Sequence, residues 1–307
     1  MDKVKQFIKN FPIIKQLIFL LKRIKLSFLE DLSLYDLIKI YTLGIIQGDV
    51  SPRATSIAFS FFMALFPFAL FVLNLIPYIP ISGFQDDFMN FVKDNVPPTT
   101  FDAISKILFD ILHNSHTGLL STGVIMAIFL MSNGVNAVLS GFENSKHITD
   151  KRAYFHQYFV ALGLSLVLTI IFLVAVAAIV ISEVIIQKTI LQDVLSDKIS
   201  LIEICRLVFL VLMVLTSTSL LFKFGIKQKK ATFFSIGSVF TTLLFICTSY
   251  LFGIWVVKFS KYNELYGSIG TLLIVMFYIW INCMILLLGF ELNVIIARLK
   301  RLHQKSE

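Results

Sequence analysis

Ser268 to Ala297 read SIGTLLIVMFYIWINCMILLLGFELNVIIA, an apolar run with one charged residue, Glu291. A bilayer core about 30 Å thick is crossed by roughly 20 apolar residues in a helix, so this run can span it and has length left over for tilt. Five runs of the same character precede it, at 54–76, 118–140, 158–186, 203–222 and 233–257. The composition agrees: 57% of the residues are hydrophobic, 15% are charged and the mean hydropathy is +0.85. Soluble domains hold about 45 to 50% apolar and about 25% charged residues. The sequence therefore predicts an all-α, polytopic membrane protein with six transmembrane helices and excludes a disordered or fibrous chain. Cys205, Cys247 and Cys283 all fall inside apolar runs without metal-ligand spacing and read as core filler.

Charge asymmetry sets the expected orientation. Nine Lys and Arg lie in the arm through Arg53, three between Gly141 and Gln157, four between Lys223 and Thr232, and four from Arg298 onward. The opposite connections hold only Lys93, Lys106, Lys188, Lys198, Lys258 and Lys261. Both termini are expected in the cytoplasm, the protein in a bacterial inner membrane, and the net charge of +8 reads as a topology signal with attraction to anionic headgroups, not to nucleic acid.

Three regions follow: an arm at 1–53, a six-span domain at 54–297 and a basic tail at 298–307. In the arm, Ile13, Leu17, Leu20, Leu21 and Ile24 fall on one helical face and Lys15, Lys22 and Lys25 on the other, which predicts an interfacial amphipathic helix from Pro12 to Leu29. A second helical stretch, Leu34 to Ile46, leads to Ser51-Pro52, expected to cap and start the first span. On the far side, Phe84, Phe88 and Phe91, then Phe101, Ile104, Leu108 and Ile111, repeat at helical spacing around Pro97-Pro98. They predict two short amphipathic helices capping the outer mouth.

Polar side chains in lipid are costly and turn inward, so their position around each helix is informative. Ser56, Ser60, Pro67 and Asn74 share a face of the first span, and Asn133, Asn136 and Ser140 a stripe of the second. Ser235, Ser238, Thr242, Ser249 and Gly253 line up on the fifth, and Asn282, Gly289 and Asn293 on the sixth. Two readings compete. Small and hydroxyl residues are ordinary packing glue between helices; alternatively Ser60, Asn74, Asn133, Asn136, Ser238, Thr242, Asn282 and Asn293 line a polar cavity, with Pro67 as a kink. Glu291 is the candidate gate or proton site. It lies roughly 10 Å inside the inner boundary, with Lys223 as the expected partner by depth and about 200° separating it from Asn293.

These residues resemble the YihY/BrkB family of bacterial inner-membrane proteins, once labelled ribonuclease BN. The resemblance rests on Arg53 to Phe59 followed by Leu65-Phe66-Pro67, on Ser132 to Ala137 with Asn144, and on the YGSIG and GFELN segments, Tyr266 to Gly270 and Gly289 to Asn293. The family usually has Ala where Phe290 stands. The resemblance implies six spans with cytoplasmic termini and no settled activity.

A nuclease needs clustered carboxylates or histidines at the phosphate, whereas Glu143, His147, Asp150 and His156 are scattered without ligand spacing. No P-loop or nucleotide fingerprint is present in the sequence. The expectation is a non-enzymatic protein without metal or cofactor, a transporter or flippase-like protein moving a solute or lipid through the bundle. The alternative is a non-transporting scaffold or envelope-maintenance factor.

Overall fold

The computed structural model of the protein describes residues 19, 35, 49–75, 77, 83–95, 98–113, 117–146, 148, 151–188, 198–225, 233–259 and 268–303. The regular structure there is helical: α1 (Val50–Leu75), α2 (Phe84–Asn95), α3 (Pro98–His113), α4 (Thr117–Glu143), α5 (Tyr154–Lys188), α6 (Lys198–Gly225), α7 (Ile236–Phe259) and α8 (Ser268–His303). The expected interfacial helix from Pro12 to Leu29 and the stretch Leu34 to Ile46 lie outside the described residues, as does the end of the basic tail.

Five helices are long and apolar enough to cross a membrane among the described residues: Ile125–Glu143, Tyr154–Ile179, Ile204–Gly225, Ile236–Val256 and Leu272–Arg298. The expected first span, α1, is not in that set; its opening turn carries Ser51, Pro52 and Arg53. That helix also begins earlier than the Ser51 cap implied. Asp49 takes a left-handed φ of 49°, which Asp tolerates, and its carbonyl accepts the Arg53 N–H. Pro52 then sits in the first turn, where its missing N–H costs nothing, and Pro67 lies inside the helix.

The six long helices form a closed circuit. Each packs on the next, α1 on α4, then α5, α6, α7 and α8, and α8 returns to α1. Across the circuit, α4 reaches α6 and α8. The core is apolar and joins Ile57 of α1, Leu139 and Phe142 of α4, Leu164 of α5, Phe222 of α6 and Leu287 and Phe290 of α8. It lies toward the end of the bundle that carries Arg53. Among the described side chains, those buried on α6 are Thr218, Ser219, Leu221 and Phe222, and those buried on α7 are Ser238, Thr241 and Thr242. At the opposite end, α2 and α3 form a hairpin in which Leu108 and Leu112 pack against Phe84, Phe88 and Leu73, so the expected pair of amphipathic helices is present.

Candidate functional site: an ion-paired closure at the Arg53 end

The last turn of α4 leaves carbonyls without intrahelical partners, and a cation there also meets the negative end of the helix dipole. Arg53, in the first turn of α1, supplies that cation: its Nη1 donates to the Gly141 carbonyl at 3.0 Å. Its Nη2 donates to Glu291 Oε1 of α8 at 2.6 Å, and the two side chains are only 8% and 2% exposed. Just past α4, the Ser145 hydroxyl donates to Glu291 Oε2 at 2.9 Å. Three helices are thereby tied through one buried carboxylate. The sequence pointed to Lys223 as its partner, and the structure corrects this. The Lys223 ammonium lies over the rings of Phe224 and Phe233, 5.7 and 5.5 Å from their centroids, and the guanidinium from α1 takes the carboxylate.

A second polar group adjoins it. Glu143 ends α4, and its carboxylate accepts the Arg152 backbone N–H at 3.3 Å ahead of α5. Burial lowers the pKa of the Arg152 guanidinium, and the nearby Glu143 carboxylate opposes that shift. Gln157 of α5 meets Asn136 Oδ1 at 3.0 Å and the Ser140 hydroxyl at 2.7 Å. With its amide turned to satisfy both ends, its nitrogen donates to Glu143 Oε2 at 3.1 Å and its oxygen accepts from Ser140. Asn136 thus serves the α4–α5 contact, as does Ser132, whose hydroxyl lies 3.1 Å from that of Ser165.

Asn293 points elsewhere, as its angular separation from Glu291 requires. Its Oδ1 accepts the Gly237 N–H at 2.7 Å and its Nδ2 donates to the Ser235 hydroxyl at 2.7 Å, so a side chain of α8 caps the start of α7. Ser238 completes the cap: its hydroxyl accepts from the Ser235 N–H at 3.0 Å while the Ser235 hydroxyl accepts from the Ser238 N–H at 3.2 Å. A turn further along, Gly289 lies so close to α7 that an added Cβ would run into the Thr241 hydroxyl. That close approach explains a glycine at a helix interior, where it otherwise weakens the helix.

The remaining cavity candidates lie apart. Ser60 and Thr242 donate to carbonyls of their own helices, Ser56 and Ser238, and Asn282 donates to Tyr278 of its own helix at 2.8 Å. Asn133 is half-buried on α4. Asn74 lies in α1 with its side chain outside the described set.

Beside the Arg53–Glu291 pair, three phenylalanines from alternate helices of the circuit meet. Phe142 of α4 stacks on Phe290 of α8 with centroids 4.0 Å apart and planes 10° from parallel. Phe222 of α6 sets its ring edgewise to both, at 5.7 and 5.9 Å. Gly225 makes room for this, since a Cβ there would come within 2.5 Å of the Phe142 ring. Sequence reasoning missed Arg53, Ser145, Gln157 and the phenylalanine triad; a cation one residue before an apolar run was the available signal for the first.

The match to a family model, described as virulence factor BrkB, covers residues 44–307. The chain belongs to the BrkB family. Its GFELN segment now has a physical reading within that family: close approach at Gly289, stacking at Phe290, the ion pair at Glu291 and the cap at Asn293. This BrkB-family chain is 27% identical over 258 residues to the putative ribonuclease-like protein YfkH of Bacillus subtilis (strain 168), covering 83% of this chain and 92% of the relative. It is 24% identical over 255 residues to a UPF0761 membrane protein of Coxiella burnetii (strain Dugway 5J108-111), covering 80% and 87%. No solved structure matches it. Among the described residues no three His, Cys, Asp or Glu side chains group as metal ligands.

Proposed function

We propose that this integral membrane protein is a non-enzymatic transporter or flippase-like protein of the bacterial inner membrane, with both termini and the Arg53 end facing the cytoplasm. One observation carries the reading: the helix circuit is packed and ion-paired at the Arg53 end, while among the described side chains those buried on α6 and α7 lie within about two turns of that end. A bundle fastened at one end and loosely packed at the other has the shape of a translocation pathway caught closed on one side, and intramembrane ion pairs commonly mark such pathways. The moved species is a solute or lipid without assigned chemistry, no cofactor is needed, and anionic headgroups are the expected partners of the basic surface. The YfkH name speaks of a ribonuclease-like protein; in this chain Glu143 is engaged with Arg152 and Gln157, which leaves it ill suited to that chemistry.

A second reading has its own support. Asn136, Ser132, Asn293 and Gly289 all serve contacts between neighbouring helices, as a scaffold or envelope-maintenance factor would need. The discriminating experiment places single cysteines at Ser249 and Asn282, with Leu251→Cys as the lipid-side control, in a chain whose native cysteines are replaced by serine. A water-soluble thiol reagent should modify the first two, because thiolates form and react only where water reaches. Equal inertness at all three sites would leave the scaffold reading in its place.

A further inference from the structure

We propose that Phe142, Phe222 and Phe290 form the gate of the helix circuit, and that the Arg53–Glu291 pair is the latch that must part for the gate to open. The inference rests on the transport reading above and adds the residues that would move.

The circuit's successive contacts run between neighbours around its rim, and across it α4 reaches α6 and α8 while Phe222 of α6 meets Phe290 of α8. The three rings are where those helices meet in an aromatic cluster. A closed cluster of apolar rings on the inner side of a helix ring blocks polar solutes because water cannot wet it, which is how hydrophobic constrictions gate. The latch is adjacent in the chain: Phe290 precedes Glu291, and Phe142 follows Gly141, whose carbonyl holds Arg53. Movement of α8 away from α1 and α4 therefore breaks the ion pair and the Phe142–Phe290 stack together. The closed arrangement also leaves buried polar atoms unsatisfied at this end of the bundle. Arg53 Nε is buried without a hydrogen-bond partner, and so is the hydroxyl of Ser219, which lies one turn from Phe222 on the same face of α6. Unpaired buried groups raise the free energy of the state that holds them, so the closed form is tempered rather than maximally stable.

Ser219 supplies the test. In the full chain with Cys205, Cys247 and Cys283 replaced by serine, Ser219→Cys is reconstituted in sealed vesicles. A membrane-impermeant cationic methanethiosulfonate is then applied from the Arg53 side. With the rings intact the reaction should be slow. Phe142→Ala with Phe290→Ala should accelerate it at least tenfold, Glu291→Gln should accelerate it severalfold, and Phe290→Leu, which keeps most of the apolar volume, should leave it slow. If the double alanine variant does not fold, Phe290→Ala alone carries the same expectation with a smaller gain. Unchanged reactivity in folded alanine and Glu291→Gln variants would overturn the gate. Such a result alongside labelling at Ser249 and Asn282 would reject the gate and keep the transport reading; inertness at those two sites would reject the transport reading itself.

Discussion

The two ends of the bundle are built differently. At the Arg53 end, polar atoms face one another across helices: guanidinium to carboxylate, carboxamide to backbone N–H, hydroxyl to carboxylate. At the far end, α6 and α7 present Ile204, Leu207, Tyr250 and Leu251 at 57%, 55%, 72% and 64% exposure. Helices in lipid gain little by hiding apolar surface from one another, so association depends on close packing and hydrogen bonds. At the Arg53 end such bonds fasten the helices to one another. The GFELN segment acts as fastening: Gly289 and Asn293 close the contact of α8 with α7, and Glu291 closes that with α1.

This contrast can be broken at the ionic end first. Arg53→Ala leaves the Glu291 carboxylate buried without its partner and should cost about 3 to 5 kcal/mol. Replacing both, Arg53→Met with Glu291→Leu, should recover most of that loss in detergent-solubilised unfolding, because no charge is left unpaired. Recovery that fails to appear would mean that the pair does more than neutralise itself. Next in size, Gly289→Ala should destabilise by about 1 to 3 kcal/mol as the added methyl forces α8 off Thr241; a neutral result would contradict the close approach. Asn293→Ala removes the cap on α7 and should cost about 1 kcal/mol, read from the same unfolding transition. At the loose end, Leu251→Ala should change stability by less than about 0.5 kcal/mol. A larger loss there would erase the distinction between the ends.

Much of this was legible from the chain. Length and hydropathy yield the helical membrane class and five of the expected spans, because each span must satisfy its own backbone in lipid. The lone carboxylate Glu291 was visible as the residue to explain, and helical angles separated it from Asn293 correctly. The identity of its partner was not legible. Arg53 lies 238 positions away, and whether it or Lys223 reaches the carboxylate depends on which helix packs beside α8. The same limit applies to the polar stripes. Their existence is a matter of period, but the partners Gln157 and Ser165 follow from the order of helices around the circuit. Phe142, Phe222 and Phe290 gave no sequence signal among so many phenylalanines, since only the crossing of α4, α6 and α8 unites them.

On the transport reading, the Arg53 end is held shut while the far end moves. Spin-label distances in lipid nanodiscs test it most directly, with one pair at Lys146 and Phe224 at the Arg53 end and another at Ile204 and Leu272 at the far end. A single narrow distance is expected for the first pair and a broad or two-population distribution for the second, with Glu291→Gln broadening the first. Equally narrow distributions at both ends, unaltered by Glu291→Gln, would contradict it.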